Sequence, residues 1–309
     1  MKNAIVLGAT GGMGYALVNE LAERGVQVTA FARNEEKLHR MFNALPNVKL
    51  FPGDAFEKDE LDAAVKGQAI VFHAINLPYG DWKTKLPKLT NNIIQSTKKS
   101  KAKLAIVDNI YSYGKNPGVK VSENTSKKPH TRKGKIRLEM EALYKQSGVP
   151  YLIAHFPDFY GPSVESSLLN FTLNNMVQDK KAQFVGDLTI PREHIFTPDA
   201  AKALVELAMK PDAYGKNWNI PASDVITGEE IIRIIRHYTG NQKSVGRVTK
   251  NMLRFIGLFN KQMREFVEMQ YLNEDPVVLD GGKYEKYIGP LPRTSYKEGI
   301  RRTIEVMGN

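Results

Sequence analysis

The first two-thirds of the chain alternates short apolar runs, rich in β-branched residues, with longer amphipathic stretches. This alternation is typical of βαβ units, in which helices join parallel strands and cover both faces of one sheet. Six strands are predicted, at residues 4–7, 26–31, 48–51, 69–73, 104–108 and 151–155. The predicted fold class is therefore α/β, with a doubly wound parallel sheet.

After Gly161 the alternation gives way to helical stripes. The segment Thr227–Glu230 has the sequence of a capping box and precedes one apolar face with helical spacing. A second face with this spacing consists of Met252, Phe255, Ile256 and Phe259. We interpret this second face as core or subunit contact and not as a membrane-surface helix. The pattern predicts a sheet domain, 1–160 with about 194–222, and a smaller, mostly helical substrate lobe, about 161–193 with 223–309.

Composition narrows the class of protein. The chain has 309 residues and no cysteine, which excludes a disulfide scaffold, a thiolate metal site and a thiol nucleophile. Its 44 Lys and Arg against 33 Asp and Glu give a formal charge of +11, but the basic residues are spread out and accompany no recognised nucleic-acid motif. His73, His155 and His194 lack the spacing of metal ligands. We expect no metal, nucleic acid or membrane partner, and a cytoplasmic protein, because the N-terminus lacks a signal-peptide pattern.

The segment Gly8–Gly14, with the sequence GATGGMG, lies between the first predicted strand and the first helix. Its three spaced glycines permit a tight turn, close approach of a pyrophosphate to the backbone, and close helix–strand packing. Free N–H groups and the helix dipole at this point favour phosphates. The residues predicted to bind a dinucleotide here are Gly8, Thr10, Gly11, Gly12 and Met13.

The second strand is followed by Arg33, at a position where an NAD(H) site commonly has an acid that accepts the ribose hydroxyls. A guanidinium pairs with a 2′-phosphate through two hydrogen bonds and stacks on adenine. The sequence therefore predicts NADP(H) in preference to NAD(H). After the third strand, Asp54 is placed to accept from the adenine amino group, with Ala55 beside it.

Further segments along the chain point to one superfamily. They are Phe51–Asp54, Val71–Ala74, Tyr113-Gly114, Phe156–Pro162, Ile195–Ala201, Trp218–Ile220, Tyr287–Gly289 and Glu298-Gly299. Together with the glycine loop, they resemble the atypical or extended short-chain dehydrogenase/reductases, the NAD-dependent epimerase/dehydratase family, over nearly the whole chain. The resemblance implies a Rossmann-type sheet, hydride transfer at nicotinamide C4, and catalysis by a Ser or Thr, a Tyr and a Lys.

The Tyr-x-x-x-Lys motif of that family is missing here. Aligned by Glu139, Lys135 takes the lysine position and Thr131 the tyrosine position, although the basic run also allows Lys133 as the functional amine. Asn109 occupies the position of the family's serine. The predicted catalytic residues are Asn109, Tyr111 and Lys135.

Three accounts of the chemistry are open. In the first, Tyr111, or Tyr160 after the sixth strand, replaces the missing acid. In the second, Lys135 and Asn109 polarise a carbonyl while water or the substrate supplies the proton. In the third, NADP(H) binds without a redox step. We expect an NAD(P)-dependent oxidoreductase or epimerase-like enzyme for a small carbonyl, alcohol or sugar-nucleotide substrate. The alternative is a redox-silent NADP-sensing regulator.

The resemblance also implies binding roles by position. Cofactor ribose and diphosphate are expected beside the backbone of Ala74, Ile75 and Asn76, with Lys135 on the nicotinamide ribose and the nicotinamide ring beside Pro157 and Phe159. The predicted substrate contacts are Tyr79, Trp82 and Tyr160. Relatives often pair through helices beside the active-site segment, so a homodimer is a further expectation.

Overall fold

The computed structural model describes residues 1–116, 118–165 and 167–307, without the side chains of residues 261–263. The strands are β1 (Asn3–Leu7), β2 (Gln27–Ala32), β3 (Val48–Pro52), β4 (Ile70–His73), β5 (Lys103–Asn109), β6 (Tyr151–Phe156), β7 (Asp158–Tyr160), β8 (Ala182–Val185), β9 (Arg192–Phe196), β10 (Lys216–Asn219), β11 (Val225–Ile226) and β12 (Val245–Val248). Seven of them form a parallel sheet in the order β10-β6-β5-β4-β1-β2-β3. The six predicted strands are confirmed to within one residue at each end, and β10 is an additional edge strand.

Helices follow most of these strands. They are α1 (Gly12–Glu23), α2 (Glu35–Phe42), α3 (Lys58–Val65), α4 (Trp82–Lys99), α5 (Arg132–Gln146), α6 (Leu168–Val177), α7 (Thr197–Ala208), α8 (Gly228–Thr239), α9 (Lys250–Phe259), α10 (Lys261–Val267), α11 (Tyr271–Glu274), α12 (Gly282–Tyr287) and α13 (Tyr296–Met307). Short 3₁₀ turns occupy Tyr79–Asp81, Tyr111–Tyr113, Pro211–Ala213 and Glu268–Gln270. The predicted capping box is present at α8, because the Thr227 side chain accepts from the Glu230 amide and the Glu230 carboxylate accepts from the Thr227 amide.

The central sheet is buried on both faces. Along β1, Ala4 and Val6 belong to one hydrophobic cluster, and Ile5 and Leu7 to another. Because side chains alternate along a strand, a strand covered on both faces is apolar throughout, which explains its unbroken hydrophobic sequence. Helices α1, α2 and α7 contribute to the first cluster, and α3, α4 and α5 to the second. The predicted doubly wound Rossmann-type fold is confirmed.

Two features of the topology position the site. β1 lies between β2 and β4, so the turns after β1 and β4 diverge and leave a crevice at the carboxyl edge of the sheet. Beyond this edge, a third hydrophobic cluster joins α6, α8 and α13 with the parallel pair β8 and β12. The exact boundaries of the two predicted domains stay a prediction.

The native fold keeps three histidines away from water. Burial lowers the pKa of His73 and of His194 to about 3, and the pKa of His155 to about 4, since the imidazolium form loses its hydration. Glu193 shows the converse effect, because burial raises its pKa to about 7. Two backbone amides, those of Ala222 and Leu279, donate to the Glu193 carboxyl group.

We expect the free energy of unfolding to fall as the pH drops from about 6.5 towards 4. In this window the unfolded chain protonates three histidines that the native state keeps neutral, whereas Glu193 binds one proton in the native state only. Each net proton changes stability by roughly 1.4 kcal/mol per pH unit. Urea unfolding at several pH values measures the slope. His194→Gln should flatten it and the exposed His39→Gln should not; stability that rises on acidification would contradict the assignment.

Candidate cofactor and substrate site

The turn after β1 is held by backbone contacts that only glycine permits. Gly8 adopts a left-handed conformation (φ +85°), and the amides of Gly8 and Ala9 both donate to the Phe31 carbonyl. A Cβ on Gly14 would lie 2.0 Å from the Gly8 carbonyl oxygen, and one on Gly8 would lie 2.9 Å from the Ile75 nitrogen. The first helix can therefore begin directly at the crevice, beside the turn that follows β4.

The N-terminus of α1 presents amides that the described protein does not use. Gly11 is the N-cap and supplies no side-chain cap, and the amides of Gly12 and Met13 donate to no acceptor in the described chain. A Cβ on Gly11 would meet only the Gly8 oxygen, at 3.5 Å, so the space in front of it is open. Thr10 completes this turn and is partly exposed. Unpaired amides, a helix dipole and open space together fit a diphosphate.

A turn from later in the chain lies against this helix terminus. A Cβ on Gly12 would be 2.5 Å from Val164 Cγ2, and the neighbouring Glu165 accepts from Lys37 Nζ at 2.8 Å. The segment after β7 is thus tied to both α1 and α2. Sequence reasoning assigned Val164 and Glu165 no role, because their proximity to the glycine turn results from the fold and not from a local pattern.

The far end of the crevice has groups suited to an adenosine. Arg33 follows β2, is exposed, and forms no ion pair with a carboxylate in the described chain. Lys37 lies one turn along α2. Asp54 follows β3; one of its carboxylate oxygens accepts from the Phe56 amide, and the Ala55 carbonyl accepts from Asn92. These residues lie at the carboxyl ends of neighbouring strands, as their sequence positions predict.

A cavity of about 190 Å³ lies between the sheet edge and the second lobe. Phe159 is part of its wall and contacts Phe156, with ring centroids 5.5 Å apart, while Pro157 is buried beneath. Asn76, after β4, also lines it. The lobe supplies apolar lining residues, among them Leu169, Phe184, Phe266, Met269 and Leu272, and the polar lining residues include Asp158, Arg192, His194, Gln270 and Asn273. The cavity therefore has an apolar and a polar part.

Two tyrosines in this wall share a hydrogen bond. The hydroxyl oxygens of Tyr79 and Tyr111 are 2.6 Å apart, and both residues line the cavity. Burial raises the pKa of Tyr79 to about 12 and raises the pKa of Tyr111 as well. Both phenols stay protonated at neutral pH. They are therefore proton donors towards a developing alkoxide, and poor bases.

The contacts of Asn109 position Tyr111 and do not indicate an acid–base role for Asn109 itself. Its side-chain oxygen accepts from the Tyr111 amide at 3.0 Å, and its backbone carbonyl lies 3.0 Å from His155 Nδ1. Asn109 is not among the residues that line the cavity, whereas Tyr111 is. The short turn between them fixes the direction of the phenol.

The predicted register of α5 is wrong by two residues. Lys135 and Glu139 are exposed, whereas Lys133, Arg137 and Glu141 are buried at the same spacing. Lys135 therefore points away from the crevice and cannot hold the nicotinamide ribose. Residues within each set are four positions apart, so spacing alone cannot show which set is buried; the packing of α5 buries the second set. Thr131 does not replace a catalytic tyrosine either, since it is the N-cap of α5 and its hydroxyl accepts from the Gly134 amide.

Lys133 approaches the tyrosine pair but is already neutralised. Its ammonium group lies 5.4 Å from the centroid of the Tyr79 ring and pairs with Glu265 at 2.5 Å and Glu268 at 2.7 Å. One turn later, the Arg137 guanidinium pairs with Asp108 at 3.3 Å. The sequence alternative of Lys133 as the inward-facing amine thus agrees with the packing.

Two predicted substrate contacts lie elsewhere. Trp82 is 1% exposed, its indole donates to the Leu77 carbonyl, and its ring packs behind Tyr111, so it supports the wall without reaching the cavity. Tyr160 is also 1% exposed and packs against Phe196 and Tyr296 in the core of the second lobe. Tyr160 is therefore neither a substrate contact nor a replacement acid. Among these predictions, Tyr79 alone lines the cavity.

Sequence reasoning missed the polar part of the cavity. His194 Nδ1 and Gln270 Nε2 are buried, line the cavity and have no hydrogen-bond partner in the described chain. Nearby, the Arg192 guanidinium donates to Asp158 and Asn273. From the sequence, His194 is considered only as a metal ligand, because no local pattern connects it with a residue from the 3₁₀ turn after α10. No cluster with the composition of a metal site occurs in the described part of the chain.

The comparisons with known proteins agree with this geometry. Residues 8–195, more than half of the chain, match the family described as NAD(P)H-binding, and the match begins at the first glycine of the loop. The chain belongs to this NAD(P)H-binding family. The resemblance inferred from its motifs is confirmed.

Solved structures with this fold include a UDP-glucose 4-epimerase of Thermotoga maritima with UDP-glucose, with a TM-score of 0.78, 18% identity and 98% of each chain covered. A UDP-glucuronic acid 4-epimerase of Bacillus cereus in complex with NAD has a TM-score of 0.80 and 18% identity, over 99% of this chain and 98% of that chain. At such identity they show the fold alone.

Curated relatives match only short segments. An uncharacterized oxidoreductase of Staphylococcus aureus (strain USA300) is 40% identical over 67 residues, which is 21% of this chain and 29% of the relative. The mouse (Mus musculus) sterol-4-alpha-carboxylate 3-dehydrogenase, decarboxylating, is 35% identical over 77 residues, 25% of this chain and 20% of the relative. The chain thus matches less than a third of the length of either protein, and their activities do not transfer to it directly.

Gly11→Val should abolish binding of both NADPH and NADH and leave the protein folded. Gly11 has an ordinary φ of −82°, and its Cβ position is nearly free of protein atoms, so the added side chain would fill only the space in front of the amides. Nucleotide fluorescence titration measures the binding and thermal unfolding measures the fold. Gly246→Val, on β12, is the matched control and should bind normally. Retained affinity in Gly11→Val would contradict the diphosphate assignment.

Proposed function

We propose that the protein is an NADP(H)-dependent oxidoreductase that reduces a compact, uncharged carbonyl compound, with Tyr111 as the proton donor. The observation that carries this proposal is the buried hydroxyl pair of Tyr79 and Tyr111, in a cavity that adjoins the cofactor crevice. When bound, the nicotinamide supplies or accepts the hydride. The protein itself contributes the diphosphate turn, the apolar wall and the proton.

The positions of Tyr79 and Tyr111 give the two phenols different roles. Tyr111 follows β5 directly and is oriented by Asn109, so we assign it the donation to the substrate oxygen. The Tyr79 hydroxyl, 2.6 Å away, then shares the resulting negative charge through a hydrogen bond. Because burial favours the neutral phenols, the arrangement favours carbonyl reduction over alcohol oxidation near neutral pH.

The cavity indicates which substrates fit. Its volume of about 190 Å³ is below the roughly 300–1,000 Å³ of pockets for drug-sized ligands, which supports a compact substrate over a nucleotide sugar. Arg192 is already paired with Asp158, which leaves no free charge for an anionic substrate group on that side. The unpartnered nitrogens of His194 and Gln270 instead suit one neutral polar group on an otherwise apolar molecule.

The preference for NADP(H) is supported by one cation at the end of β2. Arg33 is exposed and forms no ion pair with a carboxylate in the described chain, whereas Lys37, one turn along α2, is already paired with Glu165 at 2.8 Å. No carboxylate follows β2 directly to accept the ribose hydroxyls of NAD(H). A 2′-phosphate would therefore meet positive charge where an unphosphorylated ribose would find no acceptor.

Arg33→Asp should raise the Kd for NADPH by about 10- to 100-fold and change the Kd for NADH by less than about threefold, because the variant loses a charge-assisted contact to the 2′-phosphate alone. Fluorescence titration with both nucleotides measures this. Arg40→Asp makes the same charge change at an exposed position of α2 and should have little effect. Equal losses for the two nucleotides would contradict the assignment.

Tyr111→Phe should lower kcat for reduction by about a hundredfold and leave NADPH affinity within about twofold, since only the proton donor is removed. Consumption of NADPH with a panel of small aldehydes and ketones, and with nucleotide sugars for comparison, measures this. Tyr160→Phe makes the same chemical change outside the cavity and should retain full activity. Full activity in Tyr111→Phe would exclude this residue as the acid.

The neutralisation of Lys133 by Glu265 and Glu268 favours one alternative, a redox-silent NADP-binding regulator, because no uncompensated ammonium group then assists the phenols. Tight NADPH binding without turnover of any compound in the panel would support that function over the enzymatic one. Location in the cytoplasm, and the homodimer, stay predictions.

A further inference from the structure

The helix α9 turns a large apolar face to solvent. Its side chains Met252, Phe255, Ile256, Leu258 and Phe259 are between 42% and 83% exposed. On the opposite side, Leu253 and Gly257 are the buried residues of this helix. The stripe is therefore not part of the core of this chain, whereas the other half of the sequence interpretation, a subunit contact, stays a prediction. A contiguous exposed patch of this kind marks a surface that contacts a partner or a membrane.

The helix α9 packs on the helix that follows it. A Cβ on Gly257 would be 3.0 Å from Arg264 Cα, so α9 packs closely on α10. The following helix is in turn fixed to the sheet domain, because Phe266 stacks on Tyr79 and Glu265 pairs with Lys133. The apolar face is thus part of a well-packed unit and not of a loose tail.

The charges around the face are basic. The ten residues of α9 contain Lys250 and Arg254 and no acid, and α10 contributes Arg264. Lys250 pairs with Glu274 at 2.9 Å, whereas Arg254 and Arg264 form no ion pair with a carboxylate in the described chain. Glu265 and Glu268 are engaged with Lys133. The outer face therefore combines bulky apolar side chains with two arginines that no described carboxylate compensates.

We propose that α9 is a docking surface for an anionic lipid bilayer, in which Phe255, Phe259 and their neighbours enter the headgroup–acyl boundary. A convex apolar face flanked by Arg and Lys is the usual composition of such helices, and the net charge of +11 adds long-range attraction. No helix in the described chain is long and apolar enough to cross a bilayer, so the contact is with its surface. The proposal revises the expectation of no membrane partner and is independent of the proposed chemistry.

A second copy of the chain fits this face less well. A twofold contact of α9 with itself would bring the Arg254 side chains of both copies together, with no acid on the helix to compensate them, whereas Lys250 is already paired with Glu274. The same repulsion is absent at an anionic lipid surface. Charge complementarity therefore selects the bilayer.

The test is co-sedimentation of the full chain with vesicles of phosphatidylcholine mixed with phosphatidylglycerol, and with vesicles of phosphatidylcholine alone. We expect binding to the anionic vesicles that weakens with salt, and much weaker binding to the neutral ones. The double variant F255E/F259E should bind at least about tenfold more weakly. M209E/V306E makes the same change at two isolated exposed apolar residues and should bind like the native chain.

A charge-reversal pair separates the electrostatic part. R254E/R264E should lose most of the preference for anionic vesicles, whereas K83E/K202E, at exposed positions of α4 and α7, should keep it. Thermal unfolding and NADPH titration establish that each variant is folded. Absence of vesicle binding by the native chain would overturn the proposal, and so would a dimer in sedimentation equilibrium that F255E/F259E converts to monomer, which would assign the face to a second copy.

Discussion

The close approach of two turns at the carboxyl edge of the sheet is the constraint on which the rest of the structure depends. A Cβ on Gly8 would lie 2.9 Å from the Ile75 nitrogen after β4, and one on Gly14 would lie 2.0 Å from the Gly8 oxygen, so side chains at either position would force the first helix away from the edge. Because they have none, α1 starts at the crevice with the amides of Gly12 and Met13 unpaired. This small region converts an ordinary doubly wound sheet into a site for a dinucleotide.

Burial then decides what the neighbouring side chains can do. The phenols of Tyr79 and Tyr111 lose their hydration inside the cavity, which makes ionisation costly and keeps the protons available for donation. Lys133, whose ammonium group lies 5.4 Å from the centroid of the Tyr79 ring, is held by the carboxylates of Glu265 and Glu268. Closure of the site and neutralisation of Lys133 thus come from one set of contacts. The helix α10 also packs against α9 and so supports the exposed face of that helix.

Much of the fold could be predicted from the sequence because the inner strands of the sheet are buried on both faces and most helices on one, which leaves distinct periods in the apolar positions. The residues of the site were harder to predict from the sequence. In α5, Lys135 with Glu139 and Lys133 with Arg137 share the same spacing, and only the buried side of the helix selects between them. Trp82 and Tyr160 adjoin correctly placed strands, yet their rings turn into the core.

The sequence by itself determined the order of strands and helices, the glycine turn and the absence of an acid after β2, since these follow from local backbone requirements and from residue identity. The tertiary structure alone decided which side chains share the cavity. His194 and Gln270 meet there from segments far apart in the chain, and the tyrosine pair forms because two separate turns converge. The tertiary structure also decided that the apolar stripe of α9 faces outward. The spacing of apolar residues shows which face of a helix is apolar, but it does not show what covers that face.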